Sequence, residues 1–233
     1  MVLPLLTSTQ NDPNKPGNGF FADQFENNAN YLAHQSSTGP EIYTQTSGQL
    51  DAFVAGAGTG GTISGVALAL KPLITSMKVV LADPQGSGLY NKIKYGVMFS
   101  STEAEGTRRR HQVDSIVEGI GVNRLTANFE AGMHLIDDAV KVSDEQAMLM
   151  ARWLVEKEGL FVGASSAVNC VAAAMTAVKL KSEGKALALG SPRVVTVLCD
   201  SGTRHLSKFW KAAGDIGGAE ENIRLEDIMG AKR

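Results

Sequence analysis

Leu50 to Thr62, LDAFVAGAGTGGT, is the stretch that decides how this chain is read. Its first half, LDAFVAG, is a short apolar run of the kind that forms a strand buried on both faces of a parallel sheet. Its second half packs Gly56, Gly58, Gly60 and Gly61 together with Thr59 and Thr62, and a helical pattern from Thr62 to Lys71 follows, closed by Pro72. A strand–turn–helix junction gathers several backbone N–H groups and the positive end of a helix dipole at one point, which is how proteins hold phosphate. Glycines suit such a turn because a Cβ would keep the backbone away from the anion, and some turn positions require positive φ. The two threonines offer hydroxyl donors beside the amides.

The kind of phosphate stays open at this level. Gly56, Gly58 and Gly61 fit G-x-G-x-x-G, and Asp83 lies at the tip of the next strand, about where a ribose-binding acid belongs. That pattern describes an NAD(P)-binding Rossmann oxidoreductase. Against it, adjacent glycines with two threonines suit a single phosphate dianion better than a pyrophosphate.

Working outward, further strands are expected at Met77 to Asp83 (MKVVLAD) and Arg193 to Asp200 (RVVTVLCD), the latter running into the polar turn Ser201-Gly202-Thr203-Arg204. Helices are expected at Phe25 to Gln35, at Glu41 to Ser47 with Gly48 as its stop, at Asp144 to Glu158, and at Ser165 to Leu180. Ser143 followed by Gln146 has the form of a capping box. Strands alternating with helices predict an α/β fold, three-layer αβα with a mostly parallel sheet. The region from Lys92 to Ile120 carries no clear periodicity, and its basic run Arg108-Arg109-Arg110-His111 reads as a solvated face. Residues 1–19, rich in Pro, Asn and Gly, read as an irregular lead-in, and 213–233 as a C-terminal tail or helix.

Composition excludes several classes. The chain has 233 residues and a formal charge of −2, so the strong basic excess of a nucleic-acid or anionic-membrane binder is missing. Cys170 and Cys199 are too few for a disulfide framework, and His34, His111, His134 and His205 lack metal-ligand spacing, so no metal centre is expected. Each histidine reads as an ordinary hydrogen-bonding or surface residue. Cys199 reads as a small buried apolar residue, Cys170 as core, and Met148, Met150, Trp153 and Leu154 as helix packing. No apolar run approaches the roughly 20 residues that span a bilayer, and no targeting signal is readable. A cytoplasmic or mitochondrial setting is expected.

Several segments together resemble the cysteine synthase and cystathionine β-synthase family of pyridoxal-phosphate enzymes, whose fold is that of the tryptophan synthase β chain. They are ADQFENNAN (Ala22 to Asn30), TGPEIYTQTSGQLDAFVAGAGTGGT (Thr38 to Thr62), VEGIG (Val117 to Gly121), EGLFVGASSA (Glu158 to Ala167) and VVTVLCDSGTRHLSKF (Val194 to Phe209). The fungal mitochondrial cysteine-synthase-like branch is the most similar, and residues 20–212 would form its large domain. The resemblance implies pyridoxal 5'-phosphate as cofactor, with Gly58, Thr59, Gly60, Gly61 and Thr62 as the phosphate loop. It places Ser201 at the pyridine nitrogen, which a neutral hydroxyl leaves unprotonated, and Gly119 and Gln24 near the substrate. Ser165 and Ser166 match the family too, although as simple N-caps they need no ligand. The implied chemistry is β-replacement: O-acetylserine loses acetate, sulfide adds, and the cofactor serves as electron sink. A homodimer and small amino-acid substrates are implied.

In the family, the imine-forming lysine and the loop that holds the substrate carboxylate lie well upstream of the QFEN-like segment. Only 23 residues precede Gln24, and Lys15 sits in NDPNKPGNG, unlike the family's lysine motif. No catalytic residue is therefore assigned. The expectation is an incomplete fold, its N-terminal small domain largely missing, with impaired turnover. A non-catalytic remnant serving as a ligand-binding or interaction module is the alternative.

Overall fold

The computed structural model describes residues 22–98, 115–184, 191–216 and 223–230. The expected lead-in, Lys15 and the basic run at 108–111 lie outside them. Four strands, β1 (Ala52–Gly56), β2 (Lys78–Pro84), β3 (Asp138–Val142) and β4 (Val194–Thr196), make one parallel sheet in the order β3-β2-β1-β4. β1 and β2 are the central pair, aligned from Ala52 against Lys78 to Gly56 against Ala82. Their side chains alternate between two apolar layers: Phe53, Ala55, Val79 and Leu81 point to one, Val54, Val80 and Ala82 to the other. Burial on both faces is why these strands read as unbroken apolar runs.

The chain enters the sheet through α1 (Ala29–Ala33) and α2 (Gly39–Thr46), joined by a π turn at His34–Thr38. The expected helix at Phe25 starts four residues late, because the Asn27 side chain accepts the Ala29 N–H at 3.0 Å and holds the preceding residues in a turn. α2 stops as anticipated, with Ser47 at φ 52° and Gly48 at φ 66°. After β1 come α3 (Gly61–Leu70) and, after β2, α4 (Leu89–Tyr95). Then follow α5 (Ala127–Met133), α6 (Asp144–Glu158) and α7 (Ala164–Ser182). Beyond β4 lie a 3-10 turn (Gly202–His205), a π turn (Leu206–Trp210), α8 (Lys211–Asp215) and α9 (Leu225–Ile228).

Helices α3 and α5 cover one face of the sheet, α6 and α7 the other, giving the three-layer αβα arrangement. Met148, Met150 and Leu154 are buried in the α6–α7 layer as expected, and so are Ala213 and Ile228. The capping box forms in full: Ser143 Oγ accepts the Gln146 N–H at 3.1 Å, and Gln146 Oε1 accepts the Ser143 N–H at 3.0 Å.

Two strands depart from the sequence reading. β3 went unread because Asp138 and Lys141 interrupt the apolar run of DAVKV; it is an edge strand, where charged side chains protect the open ladder. β4 was expected to run to Asp200 but ends at Thr196. Past that point side chains of α7 take over the backbone groups: Val197 C=O accepts Asn169 Nδ2 at 2.8 Å, and Cys199 N–H donates to Ser166 Oγ at 2.8 Å.

Asp83, the ribose-binding candidate, is fully buried at the end of β2. Its Oδ2 accepts the Tyr90 N–H at 2.7 Å in the first turn of α4, and Oδ1 has no partner among the described residues. Burial pushes its carboxyl up to about 6, against the opposing pull of bonds from Ser87 and Tyr90 and the charge of Lys141. The native state thus holds this proton more tightly than the unfolded chain does, and stability falls as pH rises from about 4 to about 6. Asp83→Asn keeps an acceptor for Tyr90 and removes the buried charge. Urea denaturation at about pH 8 should show it more stable than wild type by roughly 1–3 kcal/mol, with the gain vanishing below about pH 4.

Candidate functional site

The site grows from the C-terminal end of β1. There the chain turns through Ala57, Gly58 and Thr59 to Gly60, whose φ of 85° an L side chain adopts only under strain. Gly58 lies so close to the Gly119 carbonyl that any Cβ would collide with it. α3 then begins at Gly61; its N-cap Gly60 has no side chain to offer, and the Gly61 N–H donates to Thr59 Oγ at 3.2 Å. The threonine-and-glycine turn is held from below. Thr126 Oγ donates to the Thr59 carbonyl at 2.6 Å while capping α5, and Asn30 Nδ2 donates to Thr59 Oγ at 3.0 Å and to the Gln24 carbonyl at 2.7 Å. Thr62 Oγ sits 3.2 Å from His34 Nε2, and His34 Nδ1 lies 2.9 Å from Thr38 Oγ. Desolvation depresses the His34 pKa below its ordinary 6.5, so at neutral pH this ring beside the loop is uncharged.

The turn forms one wall of a cleft of about 740 Å³. Across it stand Gly119 and Ile120 from the VEGIG segment, Ser165 and Asn169 from α7, and Asp200 and His205 from the loop after β4. Helix α7 also starts from a glycine: its N-cap is Gly163, and no side chain bonds its first turn. The N-cap role expected of Ser165 and Ser166 is therefore not theirs. Ser165 lines the cleft, while buried Ser166 turns its hydroxyl to the Cys199 N–H. By contrast α5 and α6, which face away from the cleft, are capped by Thr126 and Ser143. Two helices with glycine at the N-cap, α3 and α7, thus begin beside one cleft near the carboxyl ends of β1 and β4.

Of the residues singled out from sequence, Gly58, Thr59, Gly60, Thr62 and Gly119 line this cleft. Gly61 sits behind it against the Asn30 side chain. Ser201 is exposed and follows cleft-lining Asp200. Its Oγ accepts the Thr203 N–H at 3.3 Å and meets Thr203 Oγ at 3.2 Å. Gln24 is exposed and reaches the loop only through its backbone carbonyl, by way of Asn30.

Sequence reasoning missed others. His34 and His205, expected to be ordinary histidines, both face the cleft, and His205 Nε2 lies 2.8 Å from Asp200 Oδ2. Cys199, expected to be buried, is exposed there. Cys170 behaves as expected: burial, then the neighbouring Cys199, pushes its thiol up to about 11. The signal for Ser166 and Asn169 was present, since buried polar residues three apart in an apolar helix need partners.

Glycines whose missing Cβ lets backbone approach, two helix starts with glycine at the N-cap and a roomy cleft fit a phosphorylated ring. The fold is an open α/β sheet with a glycine-lined cleft at the carboxyl ends of its strands. A family model described as pyridoxal-phosphate dependent enzyme matches residues 8–200, and the chain belongs to this family. "Cysteine synthase 2" of Emericella nidulans is 66% identical over 216 residues, which are 93% of this chain and 48% of that protein. "Cysteine synthase 2" of Neurospora crassa is 69% identical over 201 residues, 85% of this chain and 42% of that protein. The chain thus spans about half the length of the curated relatives it matches. Among solved structures, an O-acetylserine dependent cystathionine beta-synthase from Helicobacter pylori superposes with a TM-score of 0.62 at 34% identity, covering 83% of this chain and 54% of that one. An O-ureido-L-serine synthase gives 0.65 at 29% identity, with 86% and 55% covered.

Thr126 tests the brace beneath the loop. Thr126→Val removes both the α5 cap and the bond to Thr59, and should lower unfolding stability by about 1–2 kcal/mol in a urea titration. Thr126→Ser, which keeps the hydroxyl, should recover most of the loss.

Proposed function

We propose that this chain forms the cofactor-holding part of a β-replacement enzyme of cysteine-synthase type, which joins O-acetylserine and sulfide to give cysteine and acetate. The observation that carries the reading is the convergence in one cleft of the glycine-rich turn after β1, the start of α7 and the Cys199–Asp200 segment after β4. When bound, pyridoxal phosphate supplies an electron sink for the substrate's α-carbon. The chain's own groups do the holding. Backbone N–H groups of Gly58, Thr59, Gly60 and Thr62, with the Thr59 and Thr62 hydroxyls, would take the phosphate, and Gly61, whose N–H donates to Thr59 Oγ at 3.2 Å, would shape the turn from behind. Ser201, whose Oγ here accepts the Thr203 N–H, would supply the neutral hydroxyl for the ring nitrogen and so leave it unprotonated. Gly119, in the cleft wall, would face the substrate, and Gln24 is assigned to the substrate side on the family resemblance alone.

Among the described residues no lysine lines the cleft, so the imine-forming lysine of the proposed reaction comes from outside this wall. The relatives' names support O-acetylserine-type substrates, and a homodimer is proposed on the family resemblance alone. So is the division at residue 212 between the cofactor domain and the tail. A cytoplasmic or mitochondrial setting is proposed because one Saccharomyces cerevisiae relative, 54% identical, carries the word mitochondrial in its name. No helix of the described residues is long and apolar enough to cross a membrane. The oxidoreductase reading loses its ribose ligand, since Asp83 is sealed beneath α4.

Titration with pyridoxal phosphate, followed by absorbance, tests the cofactor assignment. Saturable uptake is expected, weakened at least about tenfold in Thr62→Val and in Gly60→Asp. Equal uptake by all three, or tighter binding of NAD than of pyridoxal phosphate, would refute it. Cysteine formation from O-acetylserine and sulfide tests the substrate half separately.

A further inference from the structure

Three backbone segments meet at the cleft: the end of β1, the segment after β4, and α7. Each polar atom of the Asn169 side chain is engaged in joining them. Oδ1 accepts the Gly56 N–H at 2.7 Å, at the last residue before the glycine turn. Nδ2 donates to the Val197 carbonyl at 2.8 Å and lies 3.5 Å from Cys199 Sγ, two residues before Ser201. An N–H on one side and a carbonyl on the other admit a single orientation of the amide. The side chain is buried at 1% exposure and still contributes to the cleft wall. One turn earlier on the same face of α7, Ser166 Oγ takes the Cys199 N–H at 2.8 Å.

We propose that Asn169 is a positioning residue that fixes the distance between the phosphate turn and the Ser201 loop, and so tunes the cleft to a ligand gripped at both ends. This rests on the cofactor reading above. Gly56 and Val197 lie at or just past the ends of β1 and β4, where the sheet ladder no longer pairs them with each other: their aligned residues stop at Val54 and Thr196. Asn169 supplies the missing rung from the neighbouring layer. Gly56 leaves room for it, since a Cβ there would lie 3.2 Å from Asn169 Oδ1. A phosphate held at one wall and a ring nitrogen met at the other need a fixed span, because misplacement by about 1 Å already weakens a preorganised site.

Amide hydrogen exchange on the free chain reads the rung without any cofactor. In Asn169→Leu, the Gly56 amide and those at 57–62 should exchange about tenfold faster or more. Val171→Ala, which trims the buried core face of the same helix, should leave these amides in step with the rest of β1. Affinity for pyridoxal phosphate should then fall about ten- to a hundredfold in Asn169→Leu but less than about threefold in Val171→Ala. Asn169→Asp gives a third readout. Protonated, its carboxyl restores both an acceptor for Gly56 and a donor for Val197, so its affinity relative to wild type should recover as pH falls and be lost as pH rises. Unchanged exchange at Gly56 in Asn169→Leu, or equal affinity losses in the leucine and Val171 variants, would overturn the proposal. If the wild-type chain takes up no pyridoxal phosphate, the cofactor reading fails instead, and the exchange comparison alone decides whether the rung exists.

Discussion

Backbone segments can approach one another closely only where no Cβ stands between them, and that constraint shapes the chain around its cleft. α3 and α7 begin with glycine at the N-cap, whereas α5 and α6 carry Thr126 and Ser143 in the usual place. A glycine N-cap in place of Ser or Thr forgoes only about a few tenths of a kcal/mol. The glycines answer the same demand. Gly58 permits contact with the Gly119 carbonyl, and Gly60 supplies the left-handed turn into α3. With those positions glycine, the turn's own side-chain bond is from the Gly61 N–H to Thr59 Oγ, and most of the holding passes to neighbours.

Those neighbours explain much of the polar burial in the molecule. Thr126, Asn128, Ser166 and Asn169 are all at or below 1% exposure, and each ends on a backbone group near the cleft. Asn128 donates to the Phe25 carbonyl and accepts the Tyr31 N–H, pinning the QFENNANY segment against α5. Asn30 in that segment then reaches Thr59. A buried amide earns its burial only when both its ends are bonded, and here the bonded ends trace the contacts that keep the turn in place.

What was legible followed from burial on both faces or from turn chemistry. β1, β2, α6, α7 and the capping box were read because continuous apolar runs, helical spacing and Ser-x-x-Gln each have one structural meaning. β3 was not, since Asp138 and Lys141 on an edge strand break the pattern that marks a central one. α5 is a two-turn helix whose start is specified by Thr126 and whose buried Asn128 looks like a loop residue in one dimension. β4 was overread for the opposite reason: VVTVLC is apolar apart from Thr196, yet its last part bonds to α7 side chains instead of a strand. In the site, the glycine turn was visible in sequence, while His34, Asn169 and His205 become functional candidates only through contacts across 28 to 113 residues or through the shared cleft.

The two phosphate readings that the glycine pattern left open differ in what must stand at the tip of β2. A dinucleotide site needs a carboxylate there that can reach a ribose hydroxyl. Asp83 instead bonds the start of α4 and has lost its water, a state in which its charge is a liability above about pH 6. The cleft opens on the other side of β1, toward β4, where α7 and the Asp200–Ser201 loop can meet a ligand whose phosphate lies in the turn. The strand order therefore carries the argument that the motif could not: the same glycines serve either cofactor, and the neighbouring strand that furnishes the opposite wall decides between them.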